Sequence, residues 1–109
     1  MTLDVEGIYR QLEKAGNDWA DKKAAFDALE RISKSVLSDV LVSFMDSGLS
    51  RAEAEARSLS SGVYKEHLAS VSRAHKAYLQ AQVLWNNLQT LAELRRSEES
   101  TRRAEINLR

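Results

Sequence analysis

Tyr64, Val71, Tyr78, Trp85 and Ala92 recur at seven-residue intervals, with Leu68, Ala74, Ala81 and Leu88 set between them. That period lines apolar side chains along one stripe of a helix, and such a stripe must be buried against another helix. Upstream, Leu12, Trp19 and Phe26, followed by Leu29, Ile32, Val36 and Val40, form a second stripe. Two seams in succession predict an all-α fold, a long antiparallel helical hairpin with a coiled-coil-like seam.

Little in the chain competes with helix. At 109 residues it supports one core and is read as a single helical domain over 1–109. Proline is absent and glycine appears only four times, so breaks are few and no proline turn is available. The nearest thing to a strand, residues 40–42, sits inside a helical period.

The sharpest punctuation is Asp46-Ser47-Gly48-Leu49-Ser50-Arg51-Ala52-Glu53. Gly48 suits the left-handed position after a helix end. Ser50 and Glu53 have the spacing of a capping box that starts the next helix, with Leu49 placed to staple onto it. The turn is therefore expected at 47–50. A helix over about 18–46 is supported by Asp18 with Lys22, Asp27 with Arg31 and Glu30 with Lys34, each an acid four residues before a base. Residues 3–15 also read as helix, with Leu3, Ile8 and Leu12 on one side, and a kink or short break is expected at Gly16. Downstream one helix is expected over about 50–106, with a weak point and a possible kink at Ser60-Ser61-Gly62, because serine and glycine disfavour helix interiors.

Sixteen basic and sixteen acidic residues cancel, which argues against a polyanion binder driven by net charge. Residues 1–50 hold six bases against nine acids and residues 51–109 ten against seven, leaving −3 and +3. Side by side in a hairpin, those opposite signs favour the pairing. The absence of cysteine excludes disulfides and thiolate chemistry and fits a reducing compartment. The acidic start Thr2-Leu3-Asp4-Val5-Glu6 has no signal-peptide pattern, so a cytoplasmic location is expected. Residues 77–92 carry no charge but include Gln80, Gln82, Asn86, Asn87, Gln89 and Thr90, too polar for a membrane span. Of these amides, Asn86, Asn87, Gln82 and Gln89 either fix register near a bundle core or face solvent.

No cluster carries catalytic, metal or cofactor chemistry. His67 and His75, eight residues apart, project about 80° from each other on one helix and have no cysteine and no acid four residues away. His75, flanking the seam, is expected to pack and His67 to be exposed. Carboxylates at Glu53 and Glu55, or Glu98 and Glu99, diverge on a helix instead of converging. No glycine-rich loop cradles phosphate and no Ser, His and Asp arrangement exists. The chain is read as not an enzyme and as needing no cofactor; a site formed across a dimer interface by His67 or His75 is the one exception a single sequence leaves open.

The C-terminal segment holds Arg95, Arg96, Arg102, Arg103 and Arg109. Arginine prefers phosphate and carboxylate partners, but Glu98 with Arg102, Glu99 with Arg103 and Glu105 with Arg109 have the favourable i,i+4 order and answer most of that charge. No aromatic residue stands there to stack on bases.

The run Gly48-Leu49-Ser50, Ala52-Glu53-Ala54-Glu55, Tyr64-Lys65-Glu66-His67-Leu68 and Arg96-Ser97-Glu98-Glu99-Ser100-Thr101-Arg102-Arg103-Ala104-Glu105 resembles small helical proteins of bacteriophage and prophage genomes, over residues 48–109. Those proteins are mostly without assigned activity. The resemblance implies a bacterial or viral cytosolic setting and an accessory role in phage DNA metabolism, with no catalytic residue to carry over.

Leu79, Leu84 and Leu91 lie off the main seam and widen the apolar face beyond what one partner helix covers. That excess predicts a homodimer, most simply a four-helix bundle built from two hairpins. The expected function is a noncatalytic module for self-association and protein interaction, associating through Trp19, Phe26, Tyr64, Val71, Tyr78, Trp85 and Leu88 and presenting its charged ends to another protein. The alternative is an accessory nucleic-acid binder using Arg95, Arg96, Arg102 and Arg103, whose affinity would fall steeply with salt.

Overall fold

The computed structural model describes residues 4–108, and within them every regular element is a helix: α1 (Val5–Arg31), α2 (Ser33–Asp46), α3 (Arg51–Leu59) and α4 (Gly62–Asn107). The expected positions Leu3 and Arg109 lie outside the described residues. The chain divides into two compact units, one of residues 1–21 with 79–109 and the other of residues 22–78.

Asp4 starts α1. Its Oδ1 accepts the Gly7 amide at 2.6 Å, and its carbonyl accepts the Ile8 amide at 3.0 Å, which satisfies donors the first turn leaves open. The helix then runs through Gly16 without the expected break. The reason is packing. A Cβ on Gly16 would lie 3.1 Å from Trp85 Nε1 and 3.3 Å from Cε2, so the glycine is where the indole seats. Its helix penalty of about 1 kcal/mol is small against that contact.

In the first unit the early part of α1 lies antiparallel to the later part of α4. Trp19 and Trp85 rings meet at 4.9 Å between centroids, and Arg96 Nη2 donates to Tyr9 Oη at 3.2 Å. The buried apolar residues of this unit are Ile8, at 2 % exposure, with Ala15, Ala81 and Ala92. Three of the four are alanines, so the backbones approach closely while little apolar volume is enclosed.

The second unit contains the interruptions. Instead of one helix over 18–46, the chain breaks at Ile32 (φ −86°, ψ −1°), a conformation at the edge of the helical region. Next to it the Ser33 hydroxyl donates to the Leu29 carbonyl at 3.3 Å, the acceptor that a continuous ladder would offer to the Ser33 amide. Such back-bonding bends helices.

After α2 the chain reverses at 47–50. Leu49 N–H donates to Phe44 O at 3.3 Å and Gly48 N–H to Met45 O at 3.0 Å, with Gly48 at φ +104°. This is the Schellman pairing of a helix end, and it needs a residue without a Cβ penalty at the left-handed position. Ser50 Oγ then accepts the Glu53 amide at 3.3 Å and opens α3.

α3 packs on α2 and buries Ala54, fully, and Ser58. Ser58 donates to Ala54 O at 2.6 Å, so its hydroxyl is satisfied inside the helix and tolerates burial. The weak point at Ser60-Ser61-Gly62 is a full break: α3 ends at Leu59, and Ser61 Oγ accepts the Tyr64 amide at 3.2 Å to cap α4.

Candidate interaction surfaces

The residues expected to join one chain to another are used first within the chain. Trp19 faces Trp85 in the first unit. In the second, Phe26 stacks on His75 at 4.7 Å and on Tyr78 at 5.9 Å, with ring planes 25° and 4° apart. Tyr64, Val71 and Leu88 are half-buried, as are the four aromatics just named other than His75. The seven-residue repeat marks an intramolecular seam whose outer edges stay wet.

The two histidines exchange their expected roles in part. His67 is half-buried, and its Nε2 makes a 2.8 Å hydrogen bond with Ser33 Oγ. His75 is packed on aromatic rings as expected, with its edge exposed. The sequence carried no signal for the Ser33 and His67 meeting, because it joins residues 34 apart across two helices. Among the described residues no group of three or more His, Asp or Glu side chains gathers to hold a metal ion.

Two of the four arginines at 95, 96, 102 and 103 reach acids on the same helix. Arg95 reaches Glu98 at 3.7 Å and Arg103 reaches Glu99 at 3.9 Å, while Arg96 is on Tyr9. Glu98 therefore pairs backward with Arg95, where the sequence suggested Arg102. The proposed Glu105 pair with Arg109 lies outside the described residues. In α1, likewise, Asp27 takes Lys23 at 2.9 Å where Arg31 was expected. This bond is also why the Lys23 ammonium holds its proton to a pH above the usual 10.5.

Several apolar side chains are left uncovered on α4 in the first unit. Leu79, Val83, Leu84 and Leu94 are 43, 59, 53 and 57 % exposed. Asn86, Asn87, Gln89 and Thr90 are exposed among them, and Gln82 and Leu91 are half-buried. Thr90 Oγ1 donates back to Asn86 O at 3.1 Å. Beside this face Leu84 and Leu88 form the apolar wall of an open trough of about 740 Å³, whose α1 wall is polar, with Lys14, Asn17 and Asp21. The trough is open to solvent and encloses no ligand-sized cavity.

The second unit has a smaller apolar trough of about 630 Å³, lined by Val36, Val40, Phe44 and Val63. Among the described residues no helix is long and apolar enough to cross a membrane. No family model, no curated protein and no solved structure matches the chain.

Proposed function

We propose that this chain is a noncatalytic helical module that self-associates into a bundle and presents its charged ends to a protein partner. The observation that carries the reading is the outward face of α4, where four large apolar side chains stay exposed although the seam is already occupied. Large apolar side chains exposed together on one face favour a partner, and residues 77–92 around them carry no charge at all.

Magnitudes decide how much must be covered. Burying the exposed part of Leu79, Val83, Leu84 and Leu94 gains about 1 kcal/mol each. Even counted on two chains, that total falls within the about 4–15 kcal/mol that association costs. A single crossing over one stripe is therefore too little. The half-buried Leu88 and Leu91 need covering as well, and four-helix packing supplies that wider arc.

The nucleic-acid alternative draws less support, because Arg95, Arg96 and Arg103 already have partners within the chain.

Light scattering after size exclusion tests the proposal, over loading concentrations from about 1 µM to about 1 mM, which bracket binding free energies near −8 and −4 kcal/mol. The expected result is a mass that rises to twice 12.3 kDa and is insensitive to salt. In Val83→Asp the mass should stay at one chain while helicity is kept. A single-chain mass for the unmodified protein at every concentration would remove the self-association reading.

A further inference from the structure

We infer that the second copy lies antiparallel, α4 against α4, with the two-fold axis passing beside Asn87; this rests on the self-association proposed above and specifies its geometry. A cluster of exposed apolar residues of α4 in the first unit runs from Leu79 to Leu94, with Ile106 exposed separately toward the helix end, and the midpoint of that cluster falls between Asn86 and Asn87. An antiparallel pair centred there places Leu79 near Leu94 of the copy and Leu84 near Leu88 and Leu91. Each apolar residue then meets another, at both ends of the contact, as a two-fold interface requires.

Charge favours the same direction. The uncharged run is bounded by Lys76 before it and Glu93 after it, with Glu98 one turn further on. Parallel helices would set Lys76 against Lys76 and Glu98 against Glu98. Antiparallel helices set Lys76 beside Glu98 twice.

Asn87 is the remaining argument. It is an exposed amide within the apolar arc, a residue that costs stability in an apolar interface unless it finds a polar partner. At a two-fold axis it meets its own copy, and an amide carries both donor and acceptor, so the pair is self-complementary. A polar residue placed in this way fixes register and oligomeric state. Thr90 needs no such partner, since its hydroxyl is already bonded to the Asn86 carbonyl.

Because the chain has no cysteine, single cysteines report the geometry without background. A disulfide needs Cα atoms within about 7 Å. The full-length variants Asn87→Cys, Leu79→Cys and Leu94→Cys are oxidised and read on a non-reducing gel, with solution mass measured on the reduced proteins. The antiparallel arrangement predicts that Asn87→Cys cross-links to itself. It predicts that Leu79→Cys alone does not, since the two copies of position 79 would lie about 24 Å apart along the helix, and that a mixture of Leu79→Cys and Leu94→Cys gives the mixed dimer. Efficient self-linking of Leu79→Cys overturns the proposal in favour of parallel helices. A double-chain mass with no link at Asn87→Cys overturns the α4 geometry and leaves self-association standing. A single-chain mass for all three variants and for the unmodified protein overturns both.

Discussion

The two units solve the same problem, holding helices together with few large side chains, by opposite means. In residues 1–21 with 79–109 the helices are unbroken, and contact is made by removing bulk: alanines at 15, 81 and 92 and a glycine at 16 let the Trp19 and Trp85 rings lie between backbones. In residues 22–78 the helices are cut at Ile32 and at Ser60-Ser61, and serine hydroxyls at 33, 50, 58 and 61 take up main-chain groups. The difference teaches that glycine and serine, both poor helix formers, act differently. Glycine inside a helix survives when an aromatic ring fills its missing side chain. Serine breaks or starts a helix when its hydroxyl competes for the ladder or caps it.

Removing the ring should have the largest effect. Trp85→Ala is expected to lower stability by about 2 kcal/mol in denaturant unfolding, less than the roughly 3–5 kcal/mol of a fully buried aromatic because Trp85 is half-buried. A loss under about 0.5 kcal/mol, the size of an ordinary surface change, would mean that the indole is not what carries α1 unbroken through Gly16.

The cap comes next. Ser61→Ala should cost about 1 kcal/mol through the lost bond to the Tyr64 amide, and hydrogen exchange at the start of α4 should rise. No change in either reading would separate the break at 60–61 from its serines.

A glycine pair sharpens the contrast further. Nothing lies within 4 Å of a Cβ at Gly62, so Gly62→Ala should stabilise by about 0.5 kcal/mol. At Gly16 the same change meets Trp85 at 3.1 Å and should bring no such gain, although an open helix interior would give about 1 kcal/mol. Equal stabilisation at both sites would show that the indole yields and that Gly16 is not a packing device.

The smallest effect belongs to Lys23. Its pKa is raised, chiefly by the hydrogen bond to Asp27 and then by that carboxylate's charge. A folded value above the unfolded one means that the contribution is complete below the ordinary 10.5 and is lost as pH climbs through the folded value. The melting temperature of Lys23→Met should run parallel to that of the unmodified chain across the neutral range and fall less steeply at the alkaline end. Both groups are solvated, so identical alkaline slopes would assign the pair no role in stability.

Much of the helical architecture was legible because it depends on local pattern. The turn at 47–50 follows from Gly48, Ser50 and Glu53, whose preferences act within one turn of chain. The two seams follow from periodicity, which survives averaging over many residues. The break at Ile32 was not legible: an apolar residue in a helical period carries no stop signal, and the cause lies in a hydroxyl bonded to Leu29 O and His67. At Gly16, where a kink or a short break was expected, no break is present; Gly-Asn-Asp looks like a helix end until Trp85 is seen against it.

The same division holds for the interaction surface. Periodicity identified Trp19, Phe26, Tyr78 and Trp85 as buried-type positions, but only the tertiary structure showed that Trp19 meets Trp85 and Phe26 meets Tyr78, and that Leu79, Val83, Leu84 and Leu94 stay uncovered. By itself the sequence determined that the chain is helical, where it turns, and that its apolar surface is wider than one seam. Those properties depend on residues a few positions apart. Which stripe is occupied within the chain and which stays exposed depends on contacts between residues 49 to 87 positions apart, and only the folded structure decides them.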